Sequence, residues 1–201
     1  MLTSHDVSSV VIDNLCNQAR GQIATVACFY FDFAAQTEQS PASMLGSLLR
    51  QLVFGLEEIP EEILEAYEER KKAIGGQGPQ IPNILNMLQV VFSRRRTFIC
   101  IDALDECATE DRAKLLDSLG QLLEQSPGTR IFVTGRPHIL PEIERRPAGG
   151  VTSLSISPKR DDIITYLRSR LAADPTPDAS DDNLEADIVE RIPSDISEMF
   201  V

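Results

Sequence analysis

Apolar positions along the chain change their spacing at intervals, and each change marks an element. Residues 7–19 place Val7, Val10, Val11 and Leu15 at helical spacing, and Gly21 ends the run. Residues 23–33, IATVACFYFDF, are almost continuously apolar, β-branched or aromatic, which predicts a strand buried on both faces, as in a parallel sheet. Ser40-Pro41 opens a helix with proline at its first position, and ASMLGSLLRQLVF then sets Leu45, Leu48, Leu49 and Leu52 on one side. A further helix begins near Ile59-Pro60-Glu61-Glu62, with acids in its first turn and Lys71-Lys72 in its last, and Gly75-Gly76 stop it. After a Gly/Pro/Gln loop to about Gln80, residues 81–93 are helical again.

The second half continues the alternation. A strand is predicted at 97–101, a helix from Thr109 as N-cap to about Gln125, a turn at Pro127-Gly128, a strand at 130–134 and a short helix near 138–145. VTSLSI, residues 151–156, alternates and predicts a weaker strand, and Ser157-Pro158 opens a helix to about Ala172. Strands separated by helices pair in parallel through right-handed crossovers, so the fold class is α/β. The Pro/Asp-rich stretch 173–182 has the composition of a linker. Beyond it, 183–201 predicts a helix, a stop at Pro193 and another helix from Ser194, the start of a helical lid domain after an α/β domain at 1–172.

Composition narrows the partners. Hydrophobic residues make up 42% and charged residues 25% of the 201, ordinary globular values. The net charge of −12 repels phosphate backbones and anionic membrane surfaces, which argues against nucleic acid and lipid partners. Arg94-Arg95-Arg96 is a short basic run before a strand, with the character of a solvated helix end. The four cysteines, Cys16, Cys28, Cys100 and Cys107, form no C-x-x-C pair, and with His5 and His138 they give no zinc spacing. With no signal-like start and no bilayer-length apolar run, the expectation is a soluble, cytoplasmic chain.

Ligands of parallel α/β sheets bind at the carboxyl ends of the strands. There the strand FICI runs into Asp102, with Asp105 and Glu106 just beyond. One carboxylate at the lip of the sheet suits Mg²⁺ held through water beside nucleotide phosphates, and two acids beyond it suit work on an attacking water. RIFVT ends in Thr134, and Gly135-Arg136 follow, placing an arginine at the next strand tip where it can reach a terminal phosphate. Cys107 has no histidine at a neighbouring strand end to activate it, so it is expected to be inert.

FICIDALDEC followed by RIFVTGRP resembles the Walker B and sensor 1 pair of NACHT-type signal-transduction ATPases of the STAND group. With VVIDNL, ACFYFDF, SPASMLGSLLRQL and ISPKRDDIITYLRSRL, nearly the whole chain is similar to the nephrocystin 3-like N-terminal region of large fungal proteins. The resemblance implies a P-loop NTPase-like three-layer sandwich with a mostly parallel sheet, Mg²⁺ and ATP or ADP as cofactors, and partners engaged by oligomerisation. It assigns Asp102 to the metal, Asp105 and Glu106 to catalysis, and Arg136 and Thr134 to nucleotide contact.

The same resemblance expects a loop G-x-x-x-x-G-K-[ST], whose backbone N–H groups and lysine cradle the phosphates. The sequence has no such run, and it begins where the family text continues after that loop, so the expected fold lacks the first strand and the P-loop. Little or no ATPase activity is expected of this chain alone. Two other readings stand beside the truncated switch. One is a non-catalytic interaction module on the same fold. The other is a phosphoacceptor receiver, which fails because its first strand would have to end in a pair of acids.

Overall fold

The structure is a computed structural model that describes residues 4–19, 24–72, 80–145, 150–156, 159–173 and 182–199. The chain divides into two compact units, Ser4–Thr152 and the residues from Ser153 onward. Among the described residues three parallel strands form a sheet in the order β1 (Ala24–Tyr30), β2 (Arg96–Asp102), β3 (Thr129–Val133). Cys28 faces Cys100 in register, and Ile99 faces Ile131. The fold is therefore α/β with a parallel sheet, as the alternation of apolar patterns predicts.

The odd-numbered strand positions build the main core. Ala27, Ile99 and Ile101 are buried there with residues of α2 (Pro41–Phe54), α4 (Ile81–Arg94) and α5 (Thr109–Gln125). Leu45, Leu48, Leu52, Ile84, Leu88, Leu115 and Leu122 are essentially inaccessible to solvent, as expected where amphipathic stripes close on a sheet. The even-numbered positions, among them Asp102, face α1 (Ser4–Ala19), whose Ser8 reaches Asp102. α3 (Glu61–Lys72) and the short α6 (Leu140–Glu144) complete this unit. In the other unit, α7 (Arg160–Ala172) packs against α8 (Asp182–Met199).

Local chemistry explains most boundaries. Ser40 caps α2, its hydroxyl accepting from Ser43 N at 3.2 Å, with Pro41 at the first helical position. Arg94 ends α4 beside Glu62 at 3.5 Å, and Arg96 lies 5.4 Å from the Phe98 ring, so the basic run is a helix end. Four expectations are corrected. β1 stops at Tyr30 rather than running to Phe33, because Asp32 turns the chain into a 3-10 turn at Phe33–Ala35 by accepting from Ala34 N at 2.9 Å. α5 starts one residue early: Ala108 is its cap and Thr109 its first helical residue.

Residues 151–156 form no strand. Val151, Leu154 and Ile156 stand exposed, and alternation alone does not make a strand without a neighbour to bond. α8 runs through Pro193 as a single helix, since one proline removes one hydrogen bond and need not end a packed helix. Gly21, the Gly75-Gly76 stop with its loop, Ser157-Pro158 and most of the 173–182 linker lie outside the described residues. Among the described residues no helix is long and apolar enough to cross a membrane.

Candidate functional site

The central strand delivers its last residue, Asp102, to the carboxyl edge of the sheet with 2% exposure. A buried carboxylate is costly unless it is hydrogen-bonded, and here two hydroxyls supply the bonds. Thr134 Oγ1 donates to Asp102 Oδ1 at 2.5 Å, and Ser8 Oγ of α1 donates to the same oxygen. Thr134 also accepts from Ala103 N at 3.0 Å, so one side chain joins the exits of β2 and β3.

Past Asp102 the backbone bends sharply. Ala103 sits at φ 54°, ψ 46°, in the left-handed region that a residue with a Cβ seldom adopts. The bend sends Leu104 into the core at 0% exposure and opens a 3-10 turn at Leu104–Glu106. Leu104 N then donates to Thr134 O, and Thr134 N to Ile101 O, fastening the turn to the end of β3.

Asp105 faces the segment that follows β3. Its Oδ1 accepts from Arg136 N at 3.2 Å, and its Oδ2 lies 3.3 Å from Arg136 Nε. Gly135 packs closely here: a Cβ would stand 2.6 Å from Ile139 Cδ1, which would have to shift, and in ordinary contact with Asp105 Oδ1 at 3.4 Å. Glu106 turns the other way, toward the loop after β1. Its Oε2 accepts from Phe33 N at 2.9 Å, and its carbonyl accepts from Gln36 Nε2 at 2.8 Å.

A buried arginine holds this loop from below. Arg112 of α5, 5% exposed, donates through Nε and Nη2 to the two Glu142 carboxylate oxygens of α6, at 2.9 and 2.8 Å. Its Nη1 donates to Cys107 O at 2.9 Å. The Glu142 hydrogen bonds push the guanidinium pKa up against the opposing effect of burial. The neighbouring Cys107 thiol is pushed up to about 11 by burial, which keeps it protonated and unreactive near neutral pH.

Asp102, Thr134, Asp105, Glu106 and Arg136, the five residues predicted from the sequence, thus share one end of the sheet. Ser8, Gln36 and Arg112 were not predicted. Arg112 carried a signal, because it falls on the helical stripe of Leu115, Leu116, Leu119 and Leu122, where an arginine must have a buried partner. Ser8 and Gln36 act across long sequence separations and left no local mark.

The oxygens here are hard donors of the kind Mg²⁺ takes. Asp102, however, is 2% exposed and its Oδ1 already accepts from Ser8 and Thr134, so a hydrated ion would fit only after these bonds rearrange. Among the described residues no three His, Cys, Asp or Glu side chains converge as an all-protein metal cage. For a triphosphate the fit is incomplete, since the 201 residues contain no G-x-x-x-x-G-K-[ST] to cradle it.

The family model described as nephrocystin 3, N-terminal matches residues 6–136, which span α1 through β3 to Arg136. The chain belongs to the nephrocystin 3 N-terminal family. The match contains every predicted site residue and the whole sheet of this family member. No curated protein and no solved structure matches the chain.

Proposed function

We propose that this nephrocystin 3 N-terminal domain is the strand-end half of a NACHT/STAND-type nucleotide switch on a P-loop-like core, and that the 201-residue chain alone does not hydrolyse ATP. One observation carries the reading: a buried acid ends the central strand and is bonded by Thr134, at the tip of the adjacent parallel strand. Asp102 is the residue to hold Mg²⁺ through water, Asp105 and Glu106 to orient the attacking water, and Arg136 with Thr134 to meet the terminal phosphate. Bound magnesium would supply charge neutralisation between phosphate oxygens. Self-association or protein partners, in a cytoplasmic setting, belong to the same reading.

A second reading, a non-catalytic interaction module, is favoured by a different observation. Each acid already has a protein partner: Asp102 two hydroxyls, Asp105 the Arg136 side chain, Glu106 the Phe33 amide.

Calorimetry separates the two. The chain alone is expected to give no heat with magnesium ADP. A variant extended ahead of α1 by a strand and a G-x-x-x-x-G-K-[ST] loop is expected to bind, and Asp102→Asn in that variant to lose binding at least about tenfold. Equal binding with and without Asp102 removes the switch reading. Asp102-dependent ATP hydrolysis by the 201-residue chain removes the claim that it is inactive alone.

A further inference from the structure

The loops at the carboxyl edge of the sheet are joined unequally. The segments after β2 and β3 are stitched together by Thr134, by the double contact of Asp105 with Arg136, and by Arg112 spanning Cys107 and Glu142. The segment after β1, residues 31–39, meets the acidic turn differently. Beyond the ladder bond from Phe31 N to Asp102 O, the bonds described above both end on one residue, Glu106.

Three features make Glu106 a tie rather than a packing residue. Its carboxylate satisfies the Phe33 N–H at the opening of the 3-10 turn, where no intrahelical acceptor exists. Its own carbonyl is taken by the Gln36 amide near the other end of that turn, so the turn is gripped at two points. The turn makes little core contact of its own: Phe33 is 72% exposed, and Ala34 is exposed as well. Such a segment sits at the low-stability end of a structure and follows whatever holds it.

We propose that Glu106 is a conformational latch, by which the acidic turn sets the position of the exposed Phe33 turn. Displacing the Glu106 carboxylate releases the Phe33 end of the turn, while the Gln36 amide keeps its bond to the Glu106 carbonyl and β2 and α5 stay in place. Glu106 is thereby coupled to an aromatic surface residue. This coupling rests on the hydrogen-bond geometry and holds whether or not the chain binds a nucleotide.

Amide hydrogen exchange on the full chain tests it with two variants. Glu106→Ala removes the acceptor, and exchange of the Phe33 amide is expected to accelerate at least about tenfold, the scale of a lost bond to a charged acceptor. Glu106→Gln keeps a carbonyl acceptor of the same reach and is expected to retain most of the protection. Amides of β2 and α5 are expected to be unchanged in both. The proposal is overturned if Phe33 exchange in Glu106→Ala matches the parent. It is equally overturned if β2 and α5 loosen as much as the Phe33 turn, because Glu106 would then be supporting the core.

Discussion

The two outer strands solve opposite problems in opposite places. β1 is capped by a side chain at one point of its edge and lightly held at its end, whereas β3 has no such cap among the described residues and is firmly held at its end. On β1 the Gln51 side chain of α2 stands in for a neighbouring strand. Its Oε1 accepts from Cys28 N at 3.0 Å, and its Nε2 donates to Cys28 O at 2.8 Å. A side-chain amide carries one acceptor and two donors, enough to replace a peptide group at this point of the ladder.

Among the described residues no such amide serves β3. Thr134 N and O both point toward β2, so the parallel ladder turns the N–H and C=O groups of Ile131 and Val133 outward. Among the described residues no bond to those outward groups is found. An unpaired edge is where a further strand adds. Edge protection and end protection are thus separate devices, one drawn from a helix lying along the strand and the other from loops crossing its tip.

Breaking the firm end of β3 is expected to cost most. Glu142→Ala leaves Arg112 buried without its carboxylate, for a loss of about 3 kcal/mol in urea unfolding. The lower end of the usual range applies because the Glu142 side chain is 29% exposed. A loss under about 1 kcal/mol would show that the clamp does not hold that end. Unsealing β1 comes next. Gln51→Ala strands two backbone groups of a half-buried residue and is expected to cost about 1–3 kcal/mol in the same measurement.

Amide exchange then tests the edges directly. Cys28 is expected to exchange at least about tenfold more slowly than Ile131 or Val133, since only its outward N–H is bonded. Equal rates would erase the contrast. The smallest effect is expected at Arg136, whose side chain is 77% exposed. Arg136→Ala leaves Asp105, whose side chain is 10% exposed, still bonded to the residue-136 N–H, and should cost about 1 kcal/mol. A loss above about 2 kcal/mol would make the guanidinium, rather than the backbone N–H, the main support of Asp105.

Much of this was legible in the sequence where local rules decide. The strand leading into Asp102, the Ser40-Pro41 cap and the gathering of Asp102, Asp105, Glu106, Thr134 and Arg136 follow from periodicity and from strands pairing in parallel. The burial on both faces expected of 23–33 does not hold, since β1 is an outer strand of the described sheet and mostly half-buried. Legibility ends where a distant partner decides. VTSLSI has the alternation of a strand and is none, because a strand exists only beside another. Nothing in the local text around Gln51 or Ser8 marks them, since their partners lie 23 and 94 residues away. Asp32 misled by composition: it sits inside an apolar run, yet its side chain ends the strand.

The left-handed bend at Ala103 has a consequence for how this segment can vary. With Leu104 buried in the core and the mostly buried Asp105 turned onto Arg136, the number of residues across the turn is constrained. Glycine at 103 would relieve the backbone, whose cost for alanine there is about 1 kcal/mol. One residue inserted or deleted between Asp102 and Asp105 would move Leu104 off its core position and Asp105 off Arg136. Related sequences should therefore show substitutions at 103 and a fixed spacing across it, so an alignment gap falling between those acids would mark a chain that has lost this turn.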